Sequence, residues 1–291
     1  MTKTAGWVIG GRYRVTDRLG SSGGADVFRA HDELLGRDVA VKVFSAPDRG
    51  PDRAGAAEPR SPELGALAAL SHPNLVRLFD ASLDERPPYL VMELVEGPSL
   101  ADRLEDGPLP EARVRTIGAQ LADALAYIHA HGMVHLDVKP ANVLIGSDAL
   151  FGDRGTRARL SDFGIGPVAA QADGAPAGPP ADVHSLGLVL LEPLTGAARG
   201  PVPAHLPQPW PALLTAMTAD DPAARPTADE VARALHEAAV TDAPTALIAA
   251  PPLRGVADAD EPEEPQRRRR AWGLVAVAAL ASGLIGVAGY F

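Results

Sequence analysis

Five short segments of this chain carry side chains able to handle a phosphoryl group, and the most specific is His135-Leu136-Asp137-Val138-Lys139-Pro140-Ala141-Asn142. Moving a phosphoryl group onto a hydroxyl needs a carboxylate to orient the hydroxyl and take its proton, a nearby cation, and a neutral oxygen ligand for a metal. Asp137, Lys139 and Asn142 offer these functions at fixed offsets on one loop. Asp162, in Asp162-Phe163-Gly164, lies 20 residues after Asn142. Its carboxylate is a hard oxygen ligand suited to magnesium. Val39-Ala40-Val41-Lys42 places a lysine within an apolar strand, where an unpaired ammonium is costly. Lys42 therefore needs a nucleotide's phosphates or a carboxylate, and Glu63 is the candidate partner. Leu19-Gly20-Ser21-Ser22-Gly23-Gly24-Ala25-Asp26-Val27 is a small-residue turn whose backbone N–H groups could approach phosphate oxygens closely. Finally, Asp182 in Asp182-Val183-His184-Ser185-Leu186-Gly187 stands at the start of an apolar helix, able to cap it and to hold the backbone of the Asp137 loop.

The elements that must position these groups change character along the chain. Residues 12–45 alternate in polarity as strands do, and Leu75–Leu78 and Tyr89–Leu94 are expected to be two further strands. Between them a short helix begins near Ser61 and Pro62, which places Glu63 in its first turn. From Pro110 the period lengthens: Val114, Ile117, Leu121, Leu125 and Ile128 define one face of a long helix that Gly132 ends. Val183–Leu191 is a strongly apolar helix that Pro193 is expected to kink or end. Thr227 with Glu230 predicts a capping box at the last helix of the body. A strand-rich third followed by a helix-rich remainder predicts an α+β chain of two lobes.

Composition narrows the function classes. A net charge of −10 argues against nucleic-acid binding, which needs a basic surface. The absence of cysteine excludes a disulfide framework, a thiolate metal site and a cysteine nucleophile. Residues 271–291 contain no charge, and 21 residues of helix span roughly 30 Å, one bilayer core. Arg267–Arg270 precede this stretch, and Trp272 and Tyr290 lie at its ends. The expectation is a transmembrane helix with the preceding body on the cytoplasmic side. Residues 241–270 are rich in proline, alanine and acids and are expected to be a flexible juxtamembrane linker.

Taken in order, the five motifs resemble those of bacterial Hanks-type (eukaryotic-like) serine/threonine protein kinases, and the Ala/Arg/Pro bias is similar to actinobacterial examples. The likeness covers roughly residues 12–240. It extends to Leu70-Ser71-His72-Pro73-Asn74, to Leu90-Val91-Met92-Glu93 and to Asp221-Pro222-Ala223-Ala224-Arg225-Pro226. The resemblance implies a bilobal fold, with an N-lobe and hinge over 12–95 and a C-lobe over 96–240. It implies ATP and Mg²⁺ (or Mn²⁺) as cofactors. Leu19, Gly20, Ser21, Ser22, Gly23, Gly24, Ala25, Val27 and Ala40 would border the nucleotide. Lys42 would hold its phosphates while paired with Glu63, Met92 would be the gatekeeper, and Glu93 to Val95 would bind adenine through backbone. Asp137 would be the catalytic base, Lys139 would support the γ-phosphate, and Asn142 and Asp162 would bind metal. The expected activity is transfer of the γ-phosphate to Ser/Thr of protein substrates in membrane-associated signalling. Candidate partners are those substrates, phosphothreonine-reading proteins at Thr241 and Thr245, and a second copy of the chain.

The chain departs from the family in several places. Ser22 and Ala25 replace two loop glycines, and His-Leu-Asp replaces His-Arg-Asp, removing the arginine that reads an activation-loop phosphate in relatives. In agreement, 165–181 contains no Ser, Thr or Tyr. There is no Ala-Pro-Glu motif, so Arg225 has lost the glutamate it pairs with in relatives. It is therefore expected to be exposed or re-paired. The nucleotide-binding parts are kept and the peptide-binding parts are eroded. The alternative to an active kinase is thus an ATP-binding pseudokinase scaffold, or a plain interaction module.

Overall fold

The computed structural model describes residues 6–22, 24–44, 61–147, 156–163 and 178–241, with backbone alone at 22, 61–64, 147, 156 and 239–241. The linker expected at 241–270 and the transmembrane helix expected at 271–291 lie outside the described residues, apart from the backbone of Thr241. Among the described residues no helix is long and apolar enough to cross a membrane.

The first lobe is a six-stranded antiparallel sheet in the order β1-β2-β3-β4-β6-β5. Its strands are β1 (Val8–Ile9), β2 (Tyr13–Ser22), β3 (Ala25–Asp32), β4 (Arg37–Phe44), β5 (Leu78–Ser82) and β6 (Tyr89–Glu93). The period-2 reading of β4 is carried out in its burial. Val39, Val41 and Val43 point into a core with Tyr13, Val15, Phe28 and Val91, while Ala40 and Lys42 take the opposite face. Val27 stands opposite Lys42, and Met92 opposite Ala40, so these four share that second face. Helix α1 (Ser61–Ala69) enters between β4 and β5 and is nine residues long, with Glu63 in its first turn.

The second lobe is helical. Helices α2 (Leu100–Leu104) and α3 (Glu111–Ala130) precede the hairpin β7 (Val143–Ser147) and β8 (Thr156–Leu160). Helices α4 (Pro179–Thr195), α5 (Trp210–Met217) and α6 (Ala228–Thr241) follow. The predicted stripe of α3 is the spine of the core: Val114, Ile117, Leu121, Leu125 and Ile128 are at most 2% exposed. They pack with Leu186 and Leu190 of α4 and Val231 and Leu235 of α6. Each such side chain contributes about 1.5–3 kcal/mol by leaving water. Gly118 permits this close packing, because a Cβ there would meet Leu235 and Leu190 methyls at 3.0 and 3.1 Å.

Two expectations are corrected, and of the two outcomes expected at Pro193 one is excluded. The segment Leu75–Leu78 is not a strand; β5 begins at Leu78. Leu75 instead forms a single bridge to Leu160, and Asn74 donates to the Ala158 carbonyl at 2.8 Å, so this stretch is tied to β8 of the other lobe. Pro193 does not end α4, which continues to Thr195 and closes at Gly196 in a left-handed conformation. Asp182 does not cap α4: Gly178 occupies the N-cap position, and Asp182 is a buried residue of the first turn. The capping box at α6 is present, with Thr227 N–H donating to Glu230 at 2.8 Å and Glu230 N–H to the Thr227 hydroxyl at 3.3 Å.

Candidate active site between the two lobes

A cavity of about 400 Å³ opens where the sheet face of β3 and β4 meets the hairpin of the helical lobe. Leu19, Val27 and Ala40 wall one side and Leu144 the other, with Met92 at the back. This is a slot for a flat apolar ring. Its edge is the chain from Glu93 to Val95, and among the described residues the Val95 backbone N–H and C=O have no hydrogen-bond partner. These are the backbone groups an adenine edge would require. Gly97 lets the chain turn away here: its φ is +143°, and a Cβ would lie 2.1 Å from the Ile145 carbonyl oxygen.

The polar end of the slot is formed by Asn142, Ser161 and Asp162. Lys42 Nζ lies 2.9 Å from Asp162 Oδ1. The partner the structure gives Lys42 is therefore Asp162; the Glu63 side chain lies outside the described residues. Gly20 and Ser21 also line the cavity. Gly24, at φ +80°, and the buried Ala25 form the β2–β3 turn without lining it. Gly23 and the side chain of Ser22 lie outside the described residues.

The loop of Asp137 is assembled by a buried carboxylate. Asp182 is 1% exposed and accepts from the His135 N–H and the Leu136 N–H, each at 2.7 Å. His129 Nε2 also meets it at 2.9 Å. Two donors on successive residues fix a turn in which Leu136 has φ +61°, a conformation that its Cβ disfavours and that these contacts must offset. His135 completes the frame. Its Nδ1 accepts from the Asp137 N–H at 3.3 Å and its Nε2 reaches the Ser161 carbonyl at 3.1 Å, which requires the neutral tautomer with hydrogen on Nε2. Burial pushes the His135 pKa below its ordinary value, in keeping with that tautomer. The ring also packs on Phe163, centroids 4.8 Å apart, joining the loop to the Asp162 segment.

So held, Asp137 receives Lys139 Nζ at 2.8 Å and Asn142 Nδ2 at 2.9 Å on one carboxylate oxygen, Oδ2. Asn142 Nδ2 also donates to the Asp137 carbonyl at 2.8 Å. Because the amide nitrogen is committed, the Asn142 oxygen is the end left for a cation. With the Asp162 carboxylate it offers the hard oxygen donors that magnesium takes. The residues present thus fit a magnesium-bound nucleotide: an apolar slot, the Val95 backbone edge, a lysine, and two oxygen ligands.

Sequence reasoning brought together Lys42, Asp137, Lys139, Asn142 and Asp162, and the structure gathers them at one end of the cleft. It missed His129, Val76, Ser99, Asp102, Leu144 and Ser161. Leu144 was accessible from alternation, lying two residues beyond Asn142 on β7. His129 carried no signal beyond its position one turn before the loop.

The protein kinase domain family model matches residues 13–173. The serine/threonine-protein kinase pkn2 of Myxococcus xanthus is 41% identical over 186 residues, 64% of this chain and 21% of its own length. The curated relatives are spanned over only 21–32% of their own length. The crystal structure of the Mycobacterium tuberculosis PknI kinase domain aligns with a TM-score of 0.64 at 28% identity, covering 81% of this chain and 99% of that one. A structure of Rad53 in complex with AMP-PNP aligns with a TM-score of 0.62 at 25% identity, over 77% of this chain and 64% of that one. The family match covers more than half of the chain and takes in both the sheet lobe and the Asp137 loop, and on that ground the chain belongs to the protein kinase domain family.

Proposed function

We propose that this chain transfers the γ-phosphoryl group of a magnesium-bound ATP to serine or threonine hydroxyls of protein substrates. The observation that carries this reading is Asp137. Its carboxylate is oriented by Lys139 and Asn142 on a loop that Asp182 holds from beneath, and Asn142 shares the polar end of the cleft with the Lys42–Asp162 ion pair. The relatives named serine/threonine kinases, and AMP-PNP in Rad53, support it.

Each residue has a task in the transfer. The Val95 backbone and the apolar slot would seat the base. Lys42 would exchange Asp162 for phosphate oxygens, and Asn142 and Asp162 would hold the metal. Magnesium supplies neutralisation of phosphate charge when bound. Asp137 would accept the substrate hydroxyl's proton, and Lys139, 2.8 Å from it, would support the γ-phosphate. Most of the rate gain in such a reaction comes from positioning and charge neutralisation, which makes the rigidity of the loop functional. Leu136 replaces the phosphate-reading arginine, and its N–H is gripped by Asp182. The loop is therefore set without a phosphate on 165–181, and the activity is proposed to be independent of phosphorylation there.

Attachment to a membrane through 271–291, with the kinase body cytoplasmic, is part of the same proposal and is supported by the uncharged 21-residue stretch behind Arg267–Arg270. Thr241 and Thr245, beside Asp242, are proposed as modification sites for phosphothreonine-reading partners.

The test is transfer of radiolabelled γ-phosphate by the full chain in detergent to a basic protein acceptor, beside Lys42→Met and Asp137→Asn. Label that disappears in both variants is the expected result. No label, with magnesium-ATP still raising the melting temperature, overturns transfer and leaves a nucleotide-binding scaffold. Mass spectrometry of the labelled chain reads Thr241 and Thr245, and cell fractionation reads the membrane attachment.

A further inference from the structure

A second cavity of about 290 Å³ shares Glu93 with the nucleotide slot, and its lining also includes Ser71, His72, Arg77, Phe79 and Arg159. Its chemistry is unlike that of the slot. Arg77 donates to the Ser71 hydroxyl, and among the described residues no carboxylate meets it. Arg159 gives Nη1 to Glu93 at 3.0 Å and Nε to the Pro73 carbonyl at 3.4 Å, leaving Nη2 unassigned. His72 accepts the Asn74 N–H on Nδ1, so its N–H is on Nε2. Arg37 stacks on the Phe79 ring, 3.8 Å from its centroid, and its Nε lies 4.0 Å from the Asp32 carboxylate. Within the lining one carboxylate, Glu93, thus faces two arginines, in a chain whose net charge is −10.

The floor of this cavity is preorganised. His72 stacks on Tyr127 of α3 at 5.2 Å, and the Ser71 N–H donates to the Tyr127 hydroxyl at 3.2 Å. The Val76 N–H donates to the Leu160 carbonyl at 2.9 Å. The donors are therefore held by backbone bonds from both lobes and need little ordering on binding.

Glu93 lines both cavities. Its N–H donates to the Arg77 carbonyl at 2.9 Å, and its carboxylate holds Arg159. A group that binds Arg77 and Arg159 acts on the residue that begins the nucleotide slot's edge.

We propose that this cavity docks a phosphorylated serine or threonine side chain of a partner protein and is coupled through Glu93 to the nucleotide cleft. A phosphoryl dianion matches the site better than a carboxylate. It has three oxygens for the Arg77 guanidinium, the Arg159 Nη2, the Ser71 hydroxyl and the His72 Nε2–H, and it carries more charge to balance the arginines. The Phe79 ring provides apolar surface for the neighbouring residue of an extended peptide. Bound phosphate competes with Glu93 for Arg159, so peptide and nucleotide oppose each other, each weakening the other by the same factor. The docking site stands without the function proposed above; only the coupling rests on the nucleotide reading.

The test is fluorescence anisotropy of a labelled phosphothreonine peptide with apolar flanking residues, titrated with the full chain in detergent without nucleotide. Saturable binding is expected, weaker by about tenfold in Arg77→Gln and in Arg159→Gln, and retained in part by Arg77→Lys. Melting temperatures show that each variant is folded, and Arg77→Lys keeps the test open if Arg77→Gln is not. Magnesium–AMP-PNP is expected to weaken the peptide in the wild type and to have no effect on it in Glu93→Gln. Equal affinity for the unphosphorylated twin, or unchanged affinity in the arginine variants, overturns the site. An effect of nucleotide that survives in Glu93→Gln overturns the coupling. Failure of phosphoryl transfer with intact peptide binding counts against the kinase reading alone. Absent peptide binding with intact transfer counts against this site alone.

Discussion

The Lys42 ammonium and the Asp162 carboxylate meet at 2.9 Å across the cleft, each side chain only 13% exposed. One belongs to β4 of the sheet lobe and the other to the segment after β8, so this ion pair joins the lobes at the place where phosphate and metal are proposed to bind. Removing one partner leaves a largely buried charge, which costs about 3–5 kcal/mol in such settings, whereas removing both costs much less. Asp162→Asn is expected to lower the melting temperature of the nucleotide-free protein, and Lys42→Met with Asp162→Asn to recover most of it. Neither recovers stabilisation by magnesium-ATP. A double mutant no more stable than Asp162→Asn would show that the pair is not coupled.

Asp137 predicts a different pattern, because it lies beyond the nucleotide slot and is oriented rather than buried. Asp137→Asn keeps the shape and the contact with Asn142 but cannot take a proton. Phosphoryl transfer is expected to fall by about 10²–10⁴-fold with the KM for ATP little changed. A parallel rise in KM would place Asp137 in nucleotide binding instead.

The parts of this arrangement that the sequence made legible are those with a period or a fixed offset. The stripe of α3 from Val114 to Ile128 is buried as its spacing required, and Asp137, Lys139 and Asn142 sit on one loop because six residues cannot place them far apart. What stayed hidden depends on contacts between distant segments. Leu75–Leu78 has the composition of a strand, but hydrogen bonds to β8 take its backbone, and the strand starts only at Leu78. The choice of Asp162 by Lys42 follows from how the lobes close, which no local pattern encodes. Pro193 lacks an N–H for the helix, yet α4 continues past it, and its carbonyl accepts from the Leu109 N–H at 2.8 Å.

The neutral state of His135 has a consequence for stability. Its folded pKa is lowered by burial, as are those of His72 and His184. A histidine with a depressed folded pKa binds more protons when unfolded, so its contribution is fully present above the unfolded value of about 6.5 and is lost as pH falls from there toward the folded value. Asp32, held at about 2 by Arg12, behaves differently: its contribution is lost only as pH falls below the unfolded carboxylate range. Between pH 7.5 and 5.5 the histidines therefore dominate. The unfolding free energy is expected to fall as the pH drops across this window, because protons are taken up on unfolding. Denaturant titrations at several pH values measure that dependence, and a flat profile would show that unfolding takes up no net protons, against the neutral buried histidines.

Arg225 was expected to be exposed or re-paired, and the structure shows the second outcome in an unexpected form. Its Nε donates to the Ala219 carbonyl at 2.8 Å, Nη1 to the Pro180 carbonyl at 3.0 Å and Nη2 to the Asp220 carbonyl at 3.4 Å. No carboxylate is involved among the described residues. A planar guanidinium thus bridges the start of α4 to the chain after α5, two residues before Asp182, which holds the loop of Asp137. A lysine has the charge but not the fork, and its ammonium cannot span three carbonyls that diverge from a plane. If the fork is what matters, Arg225→Lys and Arg225→Met lose similar stability, about 1–3 kcal/mol, since both leave the Pro180 carbonyl without its partner. Both also reduce phosphoryl transfer by loosening the turn that carries Asp182. If charge alone matters, Arg225→Lys retains the wild-type melting temperature and only Arg225→Met loses it. Thermal unfolding of the two variants side by side separates these outcomes, and the carbonyl contacts require that the lysine fail.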